Sequence, residues 1–214
     1  ATAGLETVGV RVPKGFAADL IRHVDRPLAA PSANTSGRIS PTSAQHVAED
    51  LGDKLALILD GGSADVGVES TIVKVEGERI RLLRPGGIAA EAIERLLGRP
   101  IERPAAPAPT IEAPGMLASH YAPNAAVRLD AAAEPGEVLI RFGGRPVTGS
   151  EAALAVFDLS EAGDLAEAAS NLFDMLHAAD AVSAGRIAIA PIPEHGLGEA
   201  INDRLARAAA PRDQ

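Results

Sequence analysis

LAVFDLSEAGDLAEAASNLFDMLHAADAVSAGRIAIA, residues 154–190, decides the fold. Residues 153–158 are a short apolar run of strand length. Apolar side chains then recur at helical spacing over 163–179, and 186–190 are again an apolar run, entered through Gly185. Strand, helix, strand in that order is a crossover unit. It implies parallel pairing, because the helix returns the chain to the end from which it started. Residues 126–129 and 137–142 read as two further strands and 198–209 as a closing helix. Residues 125–214 therefore read as a small α/β layer domain with a largely parallel sheet.

The first part of the chain reads differently. LETVGVRV, residues 5–12, alternates apolar and polar like a half-buried strand, and 16–24 reads as a short helix. Ser40-Pro41 has the form of an N-cap with proline at the first helical position. Ala44, Val47, Ala48 and Leu51 follow at helical spacing, with Gly52 closing. LALIL, residues 55–59, reads as a buried strand running into the Asp60-Gly61-Gly62 turn. Residues 68–74 and 79–84 are a strand pair around Glu76-Gly77, and 88–97 is a helix closed by Gly98. Prolines at 100, 104, 107, 109, 114 and 123 mark a semi-extended linker over residues 104–124. The expected domains are thus 1–103 and 125–214, joined by that linker.

Composition narrows the chemistry. The chain has 214 residues, 46% of them hydrophobic and 23% charged, which suits a folded protein and not a disordered one. It has no cysteine, which excludes disulfide frameworks, cysteine-ligated metals and thiol nucleophiles. Twenty basic against 29 acidic residues give a net charge of −9, which argues against a broad nucleic-acid footprint. The charge is uneven: net −1 over residues 1–104 and −8 over 105–214, as for two units with different partners. No apolar run reaches the length of a membrane span. No Walker-type P-loop and no Gly-x-Ser-x-Gly elbow is present. His23, His46, His177 and His195 lack metal-ligand spacing and read as surface or packing residues.

Four segments carry candidate chemistry. PSANTSG, residues 31–37, collects hydroxyls, an amide and exposed backbone N–H groups in one turn, which suits phosphate or ribose oxygens as well as an ordinary polar loop. Glu69-Ser70-Thr71 interrupts an apolar strand; it either lines a pocket or faces solvent. Arg84 ends a strand before Pro85-Gly86-Gly87, placed for a bidentate grip on phosphate or carboxylate or for a structural ion pair, and Arg11 has a similar position before Pro13. His120-Tyr121 either closes over a nucleotide or anchors the linker. Gly196-Leu197-Gly198 is half a dinucleotide fingerprint at most.

Taken in order, TVGVRVP, PLAAPSANTSGRISPT, ILDGG, VGVESTIV and LLRPGGI resemble the C-terminal half of the YrdC-like domain. PGMLASHYAP and GLGEAINDRLARAA resemble the linker and the end of the second domain of two-domain L-threonylcarbamoyladenylate synthases. The resemblance implies a twisted α/β sheet for the first unit and a Rossmann-like Sua-type domain for the second. It implies a nucleotidyltransferase that joins L-threonine, bicarbonate and ATP, with Mg²⁺ on the ATP, and releases pyrophosphate. By the same resemblance Thr7, Ser32, Asn34, Ser40, Arg84 and Tyr121 would meet the ATP, Tyr121 as the lid, while Arg11, Ala30 and Ser70 would meet the threonine. No catalytic nucleophile and no protein-bound metal is implied. The expected setting is the cytoplasm, upstream of a threonylcarbamoyl transferase complex that acts on tRNA, without membrane attachment or direct tRNA binding. The resemblance also places the start of this chain inside the first domain, downstream of a Lys/Arg motif for the triphosphate, so that a weakly active or inactive chain is expected. A non-catalytic, nucleotide- or partner-binding regulatory fragment is the alternative.

Overall fold

In the computed structural model, residue 2 and residues 4–103, 112–116, 119–182 and 184–211 are described. The elements run α1 (Phe16–Val24), α2 (Ala44–Leu51), β1 (Ile72–Glu76), β2 (Arg79–Arg84), α3 (Ala90–Leu97), β3 (Ala126–Arg128), β4 (Val138–Arg141), β5 (Ala155–Asp158), α4 (Leu165–Ala181), β6 (Arg186–Ile189) and α5 (Gly198–Ala209). None of these helices is long and apolar enough to cross a membrane.

The second unit is a four-stranded, wholly parallel sheet in the order β3-β6-β4-β5. β6 enters between β3 and β4 because α4 carries the chain back over the sheet. Asp164 starts α4 by accepting hydrogen bonds from the Ala166 and Glu167 amides at 2.6 and 3.2 Å. Alternation along the strands then sorts the side chains. Val138, Ile140, Ile187 and Ile189 join Leu172, Phe173 and Leu176 of α4 and Ile201 and Leu205 of α5 in the main core. Leu139 and Ala188 belong instead to a smaller cluster with Ala133 and Ala190, against which Val147 and Ala153 pack. At the start of α5, a side chain on Gly198 would collide with the Pro193 carbonyl. The glycine there serves a tight helix entry, and the half fingerprint has a packing explanation.

In the first unit, β1 and β2 form a two-stranded antiparallel hairpin, and α3 folds back on it through Leu82, Ala90 and Ile101. Several expectations are corrected here. Residues 5–12 form no strand, and Val8, Val10 and Val12 are exposed. Residues 55–59 form no strand either, with Leu55, Leu57 and Leu59 exposed. An alternating or apolar run becomes a strand only where a neighbour completes its hydrogen-bond ladder, and among the described residues neither segment has one. The helix after Pro41 begins later than expected. Its N-cap is Ser43, whose hydroxyl accepts from the His46 amide at 3.3 Å. Gly52 continues into a 3₁₀ turn, Gly52–Lys54, in place of a left-handed stop. Glu69-Ser70-Thr71 precedes β1 and does not lie within it, and α3 starts at Ala90 and not at 88.

The linker expected over 104–124 lies partly outside the described residues, at 104–111, 117 and 118. Its described parts are tied down. The Glu112 carboxylate accepts from Lys74 Nζ at 2.6 Å and from Arg81 Nη2 at 3.0 Å, and these two cations, Arg81 foremost, hold its pKa down to about 2. Tyr121 is buried, and with Ile39 and Val68 it belongs to the same core as Phe173 and Ile201. The two units therefore share one hydrophobic core.

Candidate functional site

The site starts from the end of β2. Arg84 is buried, and its fork closes on backbone: Nε and Nη2 donate to the Ser70 carbonyl at 3.1 and 2.8 Å, and Nη1 donates to the Pro114 carbonyl at 3.2 Å. Burial, with the neighbouring Arg204 charge adding to it, lowers the Arg84 pKa from its usual value. The turn after Arg84 lies flat against Glu69-Ser70-Thr71. The Gly87 amide donates to the Glu69 carbonyl at 3.0 Å. The Thr71 hydroxyl donates to the Ile88 carbonyl at 2.6 Å and accepts from the Ile88 amide at 3.0 Å. Gly86 sits where a Cβ would overlap the Glu69 carbonyl and the Thr71 amide. Gly86→Ala is accordingly expected to cost about 1–3 kcal/mol, because backbone on both sides must move. Chemical denaturation checks this, and a midpoint equal to wild type would contradict it.

Glu69 joins this turn to the rest of the cluster. Its Oε1 accepts from the Ser40 hydroxyl at 2.6 Å and its Oε2 from Arg204 Nε at 2.9 Å. Burial pushes the Glu69 pKa up, but the Arg204 charge and the Ser40 hydrogen bond outweigh it, so the net shift is downward. Tyr121 packs against the other side. It holds a left-handed backbone at φ 60°, which is unfavourable for a bulky residue and is maintained by its surroundings. Its ring centre lies 5.5 Å from that of Phe173 and 5.4 Å from the Arg204 guanidinium carbon. Burial raises its pKa, with the Glu69 charge next in effect.

Of the residues singled out from sequence, Ser40, Arg84, Tyr121 and the Ser70 backbone come together here. Asn34 lines a cavity of about 330 Å³ together with Thr35, Arg38, His46 and His177. Its amide nitrogen donates to the Thr35 and Arg38 carbonyls at 3.0 and 3.3 Å, whereas its Oδ1 is buried without a hydrogen-bond partner among the described residues. Thr7, Arg11, Ala30 and Ser32 are exposed, on segments without regular structure. Sequence reasoning missed Arg204 altogether and left Glu69 undecided. Arg204 carried one signal: it occupies the apolar-periodic face of α5, between Ile201 and Ala208.

The histidines also form a pattern that linear spacing hides. His46 of α2 and His177 of α4 stack with ring centres 4.1 Å apart, and His177 Nε2 lies 3.3 Å from the Ser40 carbonyl. Burial lowers the pKa of His177, and the His46 charge adds to this; burial also lowers that of His120. The unfolded chain therefore takes up these two protons more readily than the folded one. Their contribution is fully present above the ordinary imidazole pKa of about 6.5 and is lost as the pH falls below it. The melting temperature is expected to drop between pH 7 and pH 5, and less so in His177→Gln. Differential scanning calorimetry checks this, and identical pH profiles for both proteins would contradict it.

Comparison with known proteins places this geometry. Residues 88–210 match the family described as "Threonylcarbamoyl-AMP synthase, C-terminal domain", and residues 1–86 match the family described as "Telomere recombination". The threonylcarbamoyl-AMP synthase of Pyrococcus abyssi is 40% identical over 227 residues, covering 99% of this chain and 66% of that protein. The threonylcarbamoyl-AMP synthase of Bacillus subtilis is also 40% identical, covering 99% of this chain and 65% of that protein. The crystal structure of P. abyssi Sua5 complexed with L-threonine superposes with a TM-score of 0.84 at 38% identity, over 97% of this chain and 65% of that one. The chain thus spans just under two thirds of the length of the curated relatives it matches. Both of its units find their counterparts in these proteins, and the α/β fold with its parallel sheet is theirs; the chain belongs to the threonylcarbamoyl-AMP synthase family.

Proposed function

We propose that the protein makes L-threonylcarbamoyladenylate from L-threonine, bicarbonate and ATP, for threonylcarbamoyladenosine modification of tRNA. The observation that carries this reading is the hydrogen-bonded convergence of the buried Arg84 and Ser40 with the half-buried Glu69 and the Ser70 carbonyl at the junction of the two units, in a chain 40% identical to threonylcarbamoyl-AMP synthases over 99% of its length.

In this reading Thr7, Ser32, Asn34, Ser40, Arg84 and Tyr121 serve the ATP, and Arg11, Ala30 and Ser70 serve the threonine. The threonine amine bonds to the bicarbonate carbon, a carbon–oxygen bond of bicarbonate breaks, and water leaves with an amine proton, giving the carbamate. A carbamate oxygen then bonds to the α-phosphorus, the bond to the bridging oxygen breaks, and pyrophosphate leaves. Both reactants are anionic, so the protein's part is positioning and charge neutralisation, for which a preorganised guanidinium in a buried site is suited. Mg²⁺ enters with the ATP as part of the substrate. The product passes to a separate threonylcarbamoyl transferase complex in the cytoplasm, and the net charge of −9 disfavours direct tRNA binding.

A second reading is favoured by the exposure of Thr7, Arg11, Ala30 and Ser32: the chain binds nucleotide or a partner in a regulatory role without turning over. Incubation with MgATP, L-threonine and ¹³C-bicarbonate, followed by mass spectrometry, separates the two. Labelled threonylcarbamoyl-AMP supports the synthase. ATP binding without labelled product supports the regulatory reading and overturns the first.

A further inference from the structure

We propose that Arg204 is a positioning residue of this site. From α5 it reaches into the first unit and fixes, through the Glu69 carboxylate and the Pro85 carbonyl, the Ser40 hydroxyl and the strand end that carries Arg84. The inference rests on the functional reading above and assigns the second unit a part in it.

Arg204 has no exposed side-chain surface. Nε donates to Glu69 Oε2 at 2.9 Å, and Nη1 donates to the Pro85 carbonyl at 2.7 Å and to Asp203 Oδ2 at 2.9 Å. Glu69 in turn holds the Ser40 hydroxyl at 2.6 Å, and the Gly87 amide reads the position of the Glu69 carbonyl at 3.0 Å. One guanidinium therefore stands a single hydrogen bond away from two of the segments that carry candidate substrate contacts, residues 69–70 and the strand end at Arg84-Pro85, and its carbon lies 5.4 Å from the Tyr121 ring centre.

Two physical arguments favour geometry over stability as its role. A buried ion pair gains little net stability over apolar side chains of the same size, whereas the planar fork orients a carboxylate closely. In addition, Nη2 is buried with no hydrogen-bond partner among the described residues. A clamp serving packing alone would be expected to satisfy that donor or do without it.

The test compares wild type, Arg204→Lys, Arg204→Met and the double variant Arg204→Met/Glu69→Gln. The double variant removes both charges of the Arg204–Glu69 pair at once, so it separates positioning from the cost of leaving one of them unpaired. Each protein is titrated calorimetrically with MgATP, melted, and followed by amide exchange at Gly87. Arg204→Met is expected to weaken ATP binding at least tenfold and to speed Gly87 exchange at least tenfold, with Arg204→Lys in between. The double variant is expected to regain the wild-type melting temperature while keeping weak binding and fast exchange. Recovery of ATP affinity together with stability in the double variant would overturn the proposal, and so would unchanged Gly87 exchange there. If wild type itself binds no MgATP, the functional reading falls, and Gly87 exchange in the double variant alone decides the role of Arg204.

Discussion

Glu69→Ala is expected to be the most damaging single substitution, lowering the unfolding free energy by about 3–5 kcal/mol. The loss comes less from the ion pair itself than from what remains. Arg204 has no exposed side-chain surface, and without Glu69 its Nε is left in the interior, with Asp203 as the remaining carboxylate partner among the described residues. Ser40, itself buried, loses the acceptor of its hydroxyl at the same time. Glu69→Gln keeps the shape and an acceptor for Ser40 but loses the charge, so a smaller deficit is expected. Urea denaturation of the three proteins checks the order. Equal stabilities would mean that the junction between the units is wetter and looser than its geometry indicates.

Arg84→Ala is expected to lower kcat/KM for ATP by about 30- to 1,000-fold, corresponding to about 2–4 kcal/mol of lost charge stabilisation in a closed site. Two effects combine. The cation that would neutralise phosphate charge is gone, and the Ser70 and Pro114 carbonyls lose the fork that holds them together. Arg84→Lys restores the charge without the fork. A large recovery in that variant would assign the effect to electrostatics, and little recovery would assign it to the positioning of Ser70. Steady-state kinetics with ATP and threonine varied separately checks both, and wild-type kinetics in Arg84→Ala would remove this residue from the site.

Much of the fold was legible because its signals are local. α1, β2 and α5 lie where periodicity and turn residues place them, and the parallel sheet follows from strand, helix and strand in succession. What failed was non-local. Residues 5–12 and 55–59 have the composition of strands, but a strand is defined by its neighbour, and alternation says nothing about whether one is present. The displaced cap of α2 has the same origin. Ser40-Pro41 looks like a helix start in isolation, yet Ser40 is drawn to a carboxylate 29 positions away and Ser43 takes over the cap.

The site divides along the same line. The polar interruption at Glu69-Ser70-Thr71 and the arginine before a glycine turn were visible as oddities in apolar sequence. The meeting of Glu69 with Arg204, 135 positions downstream, was not, because the sequence does not say which buried charge answers which. An arginine on the apolar stripe of an amphipathic helix is a usable warning that a buried partner exists.

The account's central claim is that substrates bind at this junction of the two units. Hydrogen exchange with and without MgATP plus L-threonine tests it most directly. The account predicts slowed exchange concentrated in residues 7–11, 30–42, 68–72, 84–88 and 121, with smaller changes elsewhere. Protection confined to residues 129–130, 189–190 and 194–202, on the second unit's side of a cavity of about 500 Å³, or an unchanged pattern at saturating ligand, would contradict it.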